Sequence, residues 1–342
     1  MLPASKLGLI IVDEEHDASY KQQEGFKFSA RDIAIKRAQI IKIPIILGSA
    51  TPSLRTLKLV EDRKFRSISL TKRVTQKSPP KFSILDINEV NLVSGLAPQA
   101  IEAINQTLNQ TKQAMIFINR RGFAPQFICS YCDWTAMCNS CDSSLVFHYQ
   151  ASRLICHRCD SAFGVPSHCP SCSKAQLSFH GIGTEQLEET LKEIFPNSPI
   201  YRLDRDSTTK DGSLETILSE INNSDTGILI GTQMLIKGHD FPNLELVVAV
   251  DVDQGITSLQ SSAVEEMGQQ LIQVAGRAGR LDGNATVLVQ SRYTNDQNLL
   301  QLRSGNYLNF TKSLMKQRQL MNQPPYSFEA TIKAVSPNAQ TN

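Results

Sequence analysis

Four cysteine pairs share one spacing, C-x-x-C: Cys129/Cys132, Cys138/Cys141, Cys156/Cys159 and Cys169/Cys172, and together they hold all 8 cysteines of the chain. Each pair offers two soft thiolates from one tight turn. Two pairs complete the tetrahedral four-sulfur set that zinc prefers. The spacing therefore implies two structural Zn²⁺ ions, each without an open coordination position. Redox chemistry would set one pair beside a thioredoxin-like strand and helix, which four pairs in a short insert do not resemble. Only the five residues 133–137 lie between Cys132 and Cys138, tight for joining neighbouring pairs, whereas the fourteen residues 142–155 allow a hairpin between Cys141 and Cys156. That favours an inner set, Cys138, Cys141, Cys156 and Cys159, and an outer set, Cys129, Cys132, Cys169 and Cys172. His157 and His168 are unnecessary as ligands beside a full set of thiolates.

A second kind of chemistry sits near the start. The apolar run Leu7–Val12 stops at Asp13-Glu14-Glu15-His16. Carboxylates at a strand's carboxyl end can hold Mg²⁺ through water and orient an attacking water. Asp13 suits the magnesium and Glu14 the base, with His16 coupling the site to motion nearby. A charged surface loop is the plainer alternative. Far along the chain, the apolar run Leu246–Val250 ends at Asp251 and Asp253, and the string QVAGRAGR follows with Gln273, Arg277 and Arg280. Two arginines one short turn apart can meet neighbouring phosphate oxygens. That is the chemistry of a motor sensing a nucleoside triphosphate across a cleft, although two solvated arginines on a surface helix would read the same way.

Other residues suit nucleic acid. Tyr20, Lys21, Phe26 and Phe28 interleave aromatic and cationic side chains that could stack bases and touch phosphates; packing of Phe26 or Phe28 into the core is the rival. Arg120 and Arg121 follow an apolar run, Ala114–Ile118, and face the same choice between a DNA backbone and a structural ion pair. The string Gly48–Ser53, GSATPS, places Ser49 and Thr51 in a small hydroxyl-rich loop able to close on a ligand or another lobe.

These residues must be delivered by an alternation of strands and helices. Short apolar runs at Leu7–Val12, Ile43–Leu47, Ala114–Ile118, Ile200–Leu203, Gly227–Ile230 and Leu246–Val250 read as buried parallel strands. Helices are expected at Asp32–Gln39, Gly95–Gln110 with Pro98 in its first turn, Gln186–Phe195 and Leu214–Ile221, and a short strand at Ile84–Asp86. The alternation predicts an α/β class with a doubly wound parallel sheet in each of two lobes. Gly181 and Gly183 do not make a dinucleotide fingerprint, because the full motif and a preceding strand are missing. Trp134, Phe147, His148 and Tyr149 are candidates for an apolar wedge between the zinc knuckles.

VDEEHD at Val12–Asp17, GSATPS at Gly48–Ser53, NRRG at Asn119–Gly122 and the Gly231–Arg280 string resemble, in order, the blocks of superfamily 2 DNA helicases. The match is nearest to the bacterial replication-restart helicases, the primosomal protein N′ family, and the cysteine block supports it. The resemblance implies two RecA-like lobes, the first incomplete, with the two-zinc module inserted in the second. It implies ATP with Mg²⁺ between the lobes, 3′ to 5′ movement on single-stranded DNA, and primosome assembly at stalled, forked DNA. Thr232, Gln233 and Lys237 would then couple the nucleotide state to DNA, and the nested cysteine pairing is the family's own. Partners would be other primosome and restart proteins and single-stranded DNA-binding protein, with a cytoplasmic, nucleoid-associated location and no membrane.

The expected division is 1–70 for the later part of lobe 1, 71–94 a linker, 95–122 the start of lobe 2, 123–178 the cysteine module, 179–305 the rest of lobe 2 and 306–342 the start of a C-terminal domain. No G-x-x-x-x-G-K-[ST] phosphate loop occurs in the 342 residues, so the chain alone is expected not to hydrolyse ATP. A non-catalytic zinc-dependent DNA or protein docking module on a truncated motor scaffold is the reading from another class. An RNA helicase of the same superfamily fits less well, because the cysteine block is not a feature of that group. Lys+Arg 35 against Asp+Glu 33 neither demands nor excludes a nucleic-acid partner, since binding needs only a local basic groove.

Overall fold

The computed structural model describes residues 4, 6–22, 26–70, 80–118, 126–129, 131–132, 134–140, 145–148, 152–156, 159, 161–175, 177–180, 184–204, 213–236, 238–258, 260–279 and 285–330. By contacts the chain divides into two units. Met1–Thr71, Leu259–Glu265 and Asn306–Asn342 form the first; Lys72–Ser258 and Glu266–Gly305 form the second.

In the first unit, β1 (Ile10–Val12) is followed by α1 (Ala30–Ile41), β2 (Ile45–Leu47) and α2 (Leu54–Glu61). β1 and β2 pair in parallel, Ile11 opposite Ile46. α1 starts where the Ser29 side chain accepts from the Asp32 amide, and it stops at Lys42, whose φ of 56° is left-handed. Ser53 caps α2 in the same way. The strands are shorter than the apolar runs and are not fully buried. Val12 is 5% exposed, whereas Ile11 is 64% and Ile46 52% exposed. Successive strand residues face opposite ways, and α1 packs on this two-stranded sheet. The expectation of strands buried on both faces is thus corrected for this unit.

The second unit opens with β3 (Lys81–Asp86), α3 (Pro98–Asn109) and β4 (Gln113–Ile118). The cysteine-rich segment follows as β5 (Gln126–Cys129), β6 (Val146–His148), β7 (Arg153–Ile155), β8 (Ala162–Phe163) and β9 (Leu177–His180). Then come α4 (Thr184–Ile194), β10 (Ile200–Leu203), α5 (Ser213–Asn223), β11 (Gly227–Gly231), β12 (Leu244–Val250), α6 (Asp253–Thr257), α7 (Ala263–Ala275), whose start through Glu265 belongs to the first unit, β13 (Thr286–Ser291) and α8 (Gln297–Leu302); α9 (Tyr307–Leu320) follows. Six of these strands make one sheet in the order β10-β11-β4-β12-β13-β3, with every pairing parallel. β4 is buried along its whole length, as a central parallel strand covered on both faces must be. Ile104, Ile116, Leu187, Leu191, Ile228 and Val248 lie in the cluster that cements helices to this sheet; burying each such side chain stabilises by about 1.5–3 kcal/mol. β3 begins before the expected Ile84–Asp86 and forms the sheet's edge inside the stretch expected to be a linker. The Gln290 side chain on β13 holds the entry to α3, accepting from the Ala97 amide at 2.9 Å and donating to the Gly95 carbonyl at 2.8 Å.

The cysteine-rich strands form a separate antiparallel sheet, β8-β7-β6-β5-β9. Phe127, Ala136, Leu145 and Leu154 are its small core, and Trp134 and Phe147 pack against them. Two members of the expected wedge therefore fill the module's own interior; Tyr149 and the His148 side chain lie outside the described residues. A strand, β9, does precede Gly181 and Gly183, contrary to the sequence reading. Its antiparallel pairing with β5 still differs from the parallel strand that a dinucleotide loop requires.

α9 belongs to the first unit. The Tyr307 hydroxyl donates to the Pro52 carbonyl at 3.0 Å. Arg318, 4% exposed, donates to the carbonyls of Pro324 and Ser261 and lies 3.6 Å from Glu265. Glu265 in turn accepts from the Leu54 amide, the first of α2, at 2.8 Å. Among the described residues no helix is long and apolar enough to cross a membrane.

Candidate functional site

β1 delivers Asp13 and Glu14 to the surface, and Glu14 adopts a left-handed φ of 44°. Its amide donates to Asp13 Oδ1 at 2.9 Å, and its carbonyl accepts from the Asp17 amide at 2.8 Å. His16 turns inward: Nδ1 shares a hydrogen bond of 2.7 Å with Ser49 Oγ, Nε2 lies 3.5 Å from Thr51 Oγ1, and Glu14 Oε2 is 3.5 Å from Nδ1. Ser49 Oγ also accepts from the Thr51 amide at 2.9 Å. The structure thus brings together Asp13, Glu14, His16, Ser49 and Thr51 through side chains 33 and 35 residues apart in sequence. Beneath them is a residue the sequence reading passed over. Glu15 is 2% exposed, and its carboxylate accepts from Arg31, Ser53 and Thr56. Nothing in DEEH itself distinguishes Glu15 from its exposed neighbours.

Tyr20 bends back to this loop, its hydroxyl donating to the Asp13 carbonyl at 2.8 Å. Burial, then the Asp13, Asp17 and Glu14 charges, push the phenol above its ordinary range. Lys21 is exposed. Phe26 is 86% and Phe28 41% exposed, with ring centroids 6.5 Å apart. Neither packs in the core, so that alternative is removed.

In the second unit, β11 ends at Gly231 and delivers Thr232 and Gln233, both half-buried. Gly231 is required there because a Cβ would sit 2.4 Å from the Leu203 carbonyl and 2.9 Å from Leu235 Cδ1. α7 carries Gln273, and the turn after it carries Arg277, whose Nη1 lies 3.2 Å from Asp240 Oδ1. Arg120, Arg121, Lys237 and Arg280 lie outside the described residues.

The cysteines gather as two clusters. Cys129, Cys132, Cys169 and Cys172 place their sulfurs within 4.8 Å of one another, and so do Cys138, Cys156 and Cys159; Cys141 lies outside the described residues. Sγ separations are 3.6 Å for Cys129–Cys172 and Cys132–Cys169 and 3.5 Å for Cys138–Cys159. A tetrahedral ion with bonds of about 2.3 Å has sulfur–sulfur edges of about 3.8 Å, so the sulfurs fit one zinc per cluster. Protonation is unevenly shared. Burial pushes the Cys129 thiol up, yet the Tyr131 and Cys132 amides bring it down to about 7. The Lys174 amide pulls Cys172 down, but burial and the sulfurs of Cys132, Cys129 and Cys169 push it up to about 12. The Ser161 hydroxyl and amide lower Cys159 to about 6. Thiolates held this close repel one another, and a divalent ion would remove that repulsion. The outer set and three of the four inner cysteines agree with the nested pairing.

The sequence matches the Cys-rich region domain of the PriA DNA helicase over residues 138–162 and the helicase conserved C-terminal domain over 177–282. It is 42% identical over 330 residues to the replication restart protein PriA of Haemophilus influenzae, covering 96% of this chain and 45% of that one. Over nearly its whole length the chain is thus homologous to PriA replication restart proteins. The PriA of Rickettsia conorii is 37% identical over 334 residues, covering 97% of this chain and 52% of the relative. That of Bacillus subtilis is 35% identical over 335 residues, covering 96% and 41%. The chain thus spans about half the length of these PriA relatives.

Proposed function

We propose that this chain carries the later motor motifs and the metal module of an ATP-driven 3′ to 5′ DNA helicase that acts in primosome assembly and restart of stalled forks. The observation that carries the reading is the His16–Ser49–Thr51 contact, which ties the acidic loop after β1 to the GSATPS loop after β2. A change at the acidic loop then moves α2, as a motor needs. Asp13 would hold Mg²⁺ through water and Glu14 would take the proton of the attacking water. Bound magnesium would supply charge neutralisation on the phosphates. Gln273, Arg277 and Arg280 would meet the γ-phosphate, and Thr232, Gln233 and Lys237, with Arg120 and Arg121, would couple that contact to DNA. Phe26 and Phe28 offer exposed aromatic faces, Lys21 charge and the half-buried Tyr20 a further ring for single-stranded or forked DNA. The likeness to replication restart proteins supports other restart proteins as partners, and the exposed aromatic and basic residues would meet single-stranded DNA beside single-stranded DNA-binding protein. Two zinc ions in the cysteine clusters would be structural, because four thiolates close each site.

The test is ATP hydrolysis by the complete product of the gene encoding this chain, with and without single-stranded DNA. Turnover is expected to need both DNA and Glu14. Hydrolysis that persists in Glu14→Gln, or ignores DNA, sinks the motor reading. The lack of a phosphate-loop motif in these 342 residues favours, for the chain by itself, the docking reading. That reading expects zinc-dependent DNA or protein binding by the purified chain without ATP turnover.

A further inference from the structure

We propose that Glu15 is a positioning residue whose buried anchor holds Glu14 in its left-handed turn and so aims the carboxylate assigned above as the base. The proposal rests on that assignment. A non-glycine residue at φ 44° is strained, and such strain persists only where surrounding structure over-determines it. The residue immediately after Glu14 supplies the constraint. The Glu15 amide donates to the Gly48 carbonyl at 3.0 Å. Its Oε1 accepts from the Ser53 amide at 2.6 Å. Its Oε2 accepts from Arg31 Nη1 at 2.7 Å, Thr56 Oγ1 at 2.8 Å and Ser53 Oγ at 3.1 Å.

Arg31 is itself fixed. Its Nε and Nη2 donate to Asp32 Oδ1 at 3.2 and 3.1 Å, and Arg55 Nη1 donates to Asp32 Oδ2 at 2.7 Å. Glu15, Arg31 and Ser53 are 2%, 8% and 8% exposed. Both carboxylate oxygens are engaged by donors of the fold and the residue is buried, so Glu15 faces the protein and not a ligand. What it does is nail one end of the Glu14 peptide to the starts of α1 and α2. Glutamine would turn an amide donor towards this ring of donors, leaving the Arg31 charge buried and under-paired.

The variants are Glu15→Gln, the charge-free pair Glu15→Gln with Arg31→Met, and Thr56→Val. Two readouts are taken. The first is the ¹³Cα and carbonyl shifts of Glu14 in the zinc-loaded chain, which report its backbone conformation. The second is kcat and KM for ATP of the complete gene product. In the charge-free pair, folding recovers relative to Glu15→Gln, because no unpaired charge stays buried. Glu14 nevertheless leaves its left-handed shifts, and kcat falls about tenfold or more with KM held within about twofold, as misplacement of a reacting group does. Thr56→Val, which removes one donor and no charge, moves both readouts the same way by less, and it decides the matter if the pair does not fold. A Glu14 that keeps its left-handed shifts in these variants overturns the positioning role while leaving the motor reading intact. A Glu14 that relaxes with kcat unchanged overturns its assignment as base, and the positioning role with it.

Discussion

Arg277 Nη1 lies 3.2 Å from Asp240 Oδ1, joining the turn after α7 to the GHDFP string 37 residues earlier. Asp240 is 57% exposed at its side chain and Arg277 19%. An ion pair so open to water is worth about 0–1 kcal/mol. It orients the guanidinium more than it stabilises the unit.

Asp240→Ala should therefore change unfolding free energy by less than about 1 kcal/mol, read by urea melts of the zinc-loaded chain. Arg277→Ala should cut the DNA-stimulated kcat of the complete gene product by about 10²-fold or more, the scale of a lost charge-stabilising donor. Wild-type turnover in Arg277→Ala would remove this arginine from the nucleotide site.

The cysteine clusters make a stoichiometric prediction. Cys129→Ser should lower bound zinc from two ions per chain to one, and Cys138→Ser should do the same. Combining them should leave none. Atomic absorption on desalted protein reads this directly. A Cys129→Ser chain that keeps both ions would contradict the outer set, because a serine hydroxyl is a poor substitute for a zinc-bound thiolate.

Asp32 should leave a mark on acid stability. Burial alone would raise its carboxyl, but the Arg31 and Arg55 charges and the Arg31 and Ser29 hydrogen bonds reverse this and hold it below the ordinary carboxylate range. A lowered native value means stability that is present above the unfolded value and lost as pH falls through the native one. Asp32→Asn should therefore flatten the melting-temperature profile below about pH 4. The comparison is with the wild type over the same range, since acid strips zinc from both. Superimposable acid limbs would contradict the prediction.

Arg318 and Glu265 are the buried pair whose separation should cost most. Burial foremost raises the Glu265 carboxyl, against the Leu54 amide and Arg318 that pull it down. Removing Arg318 leaves an unpaired buried carboxylate, so Arg318→Ala should destabilise by about 3–5 kcal/mol near neutral pH. A raised carboxyl contributes stability below its unfolded value and loses it as pH rises through its folded value. The deficit in Arg318→Ala should thus shrink on acidification, and Arg318→Met with Glu265→Gln should recover most of it. Urea melts at two pH values check both statements; a pH-independent deficit would count against them.

Much of this protein is legible in one dimension because the relevant signals are local. Cys129 to Cys172 announce metal by a spacing that one tight turn dictates. Ala114–Ile118 and Leu246–Val250 announce central strands because both are unbroken apolar runs, as a strand covered on both faces needs. The residues of DEEH and QVAGRAGR carry the proposal of phosphate chemistry by type and order, and GSATPS that of a closing loop. What the chain order could not supply is which side chains meet. Glu15 and Glu14 are neighbours of one kind, yet one is buried under four donor groups and the other exposed, and only the packing of α1 and α2 separates them. Ile84–Asp86 reads as a short strand within a linker until pairing with β13 lengthens it to Lys81–Asp86 and makes it a sheet edge. Ile11 and Ile46 read as core, yet in a two-stranded sheet their face stays open. Arg318 reads as one more charge on a helix until Glu265, 53 positions earlier, turns it inward. Burial, cysteine partnership and ion pairing depend on distance in space, and the tertiary structure alone sets it.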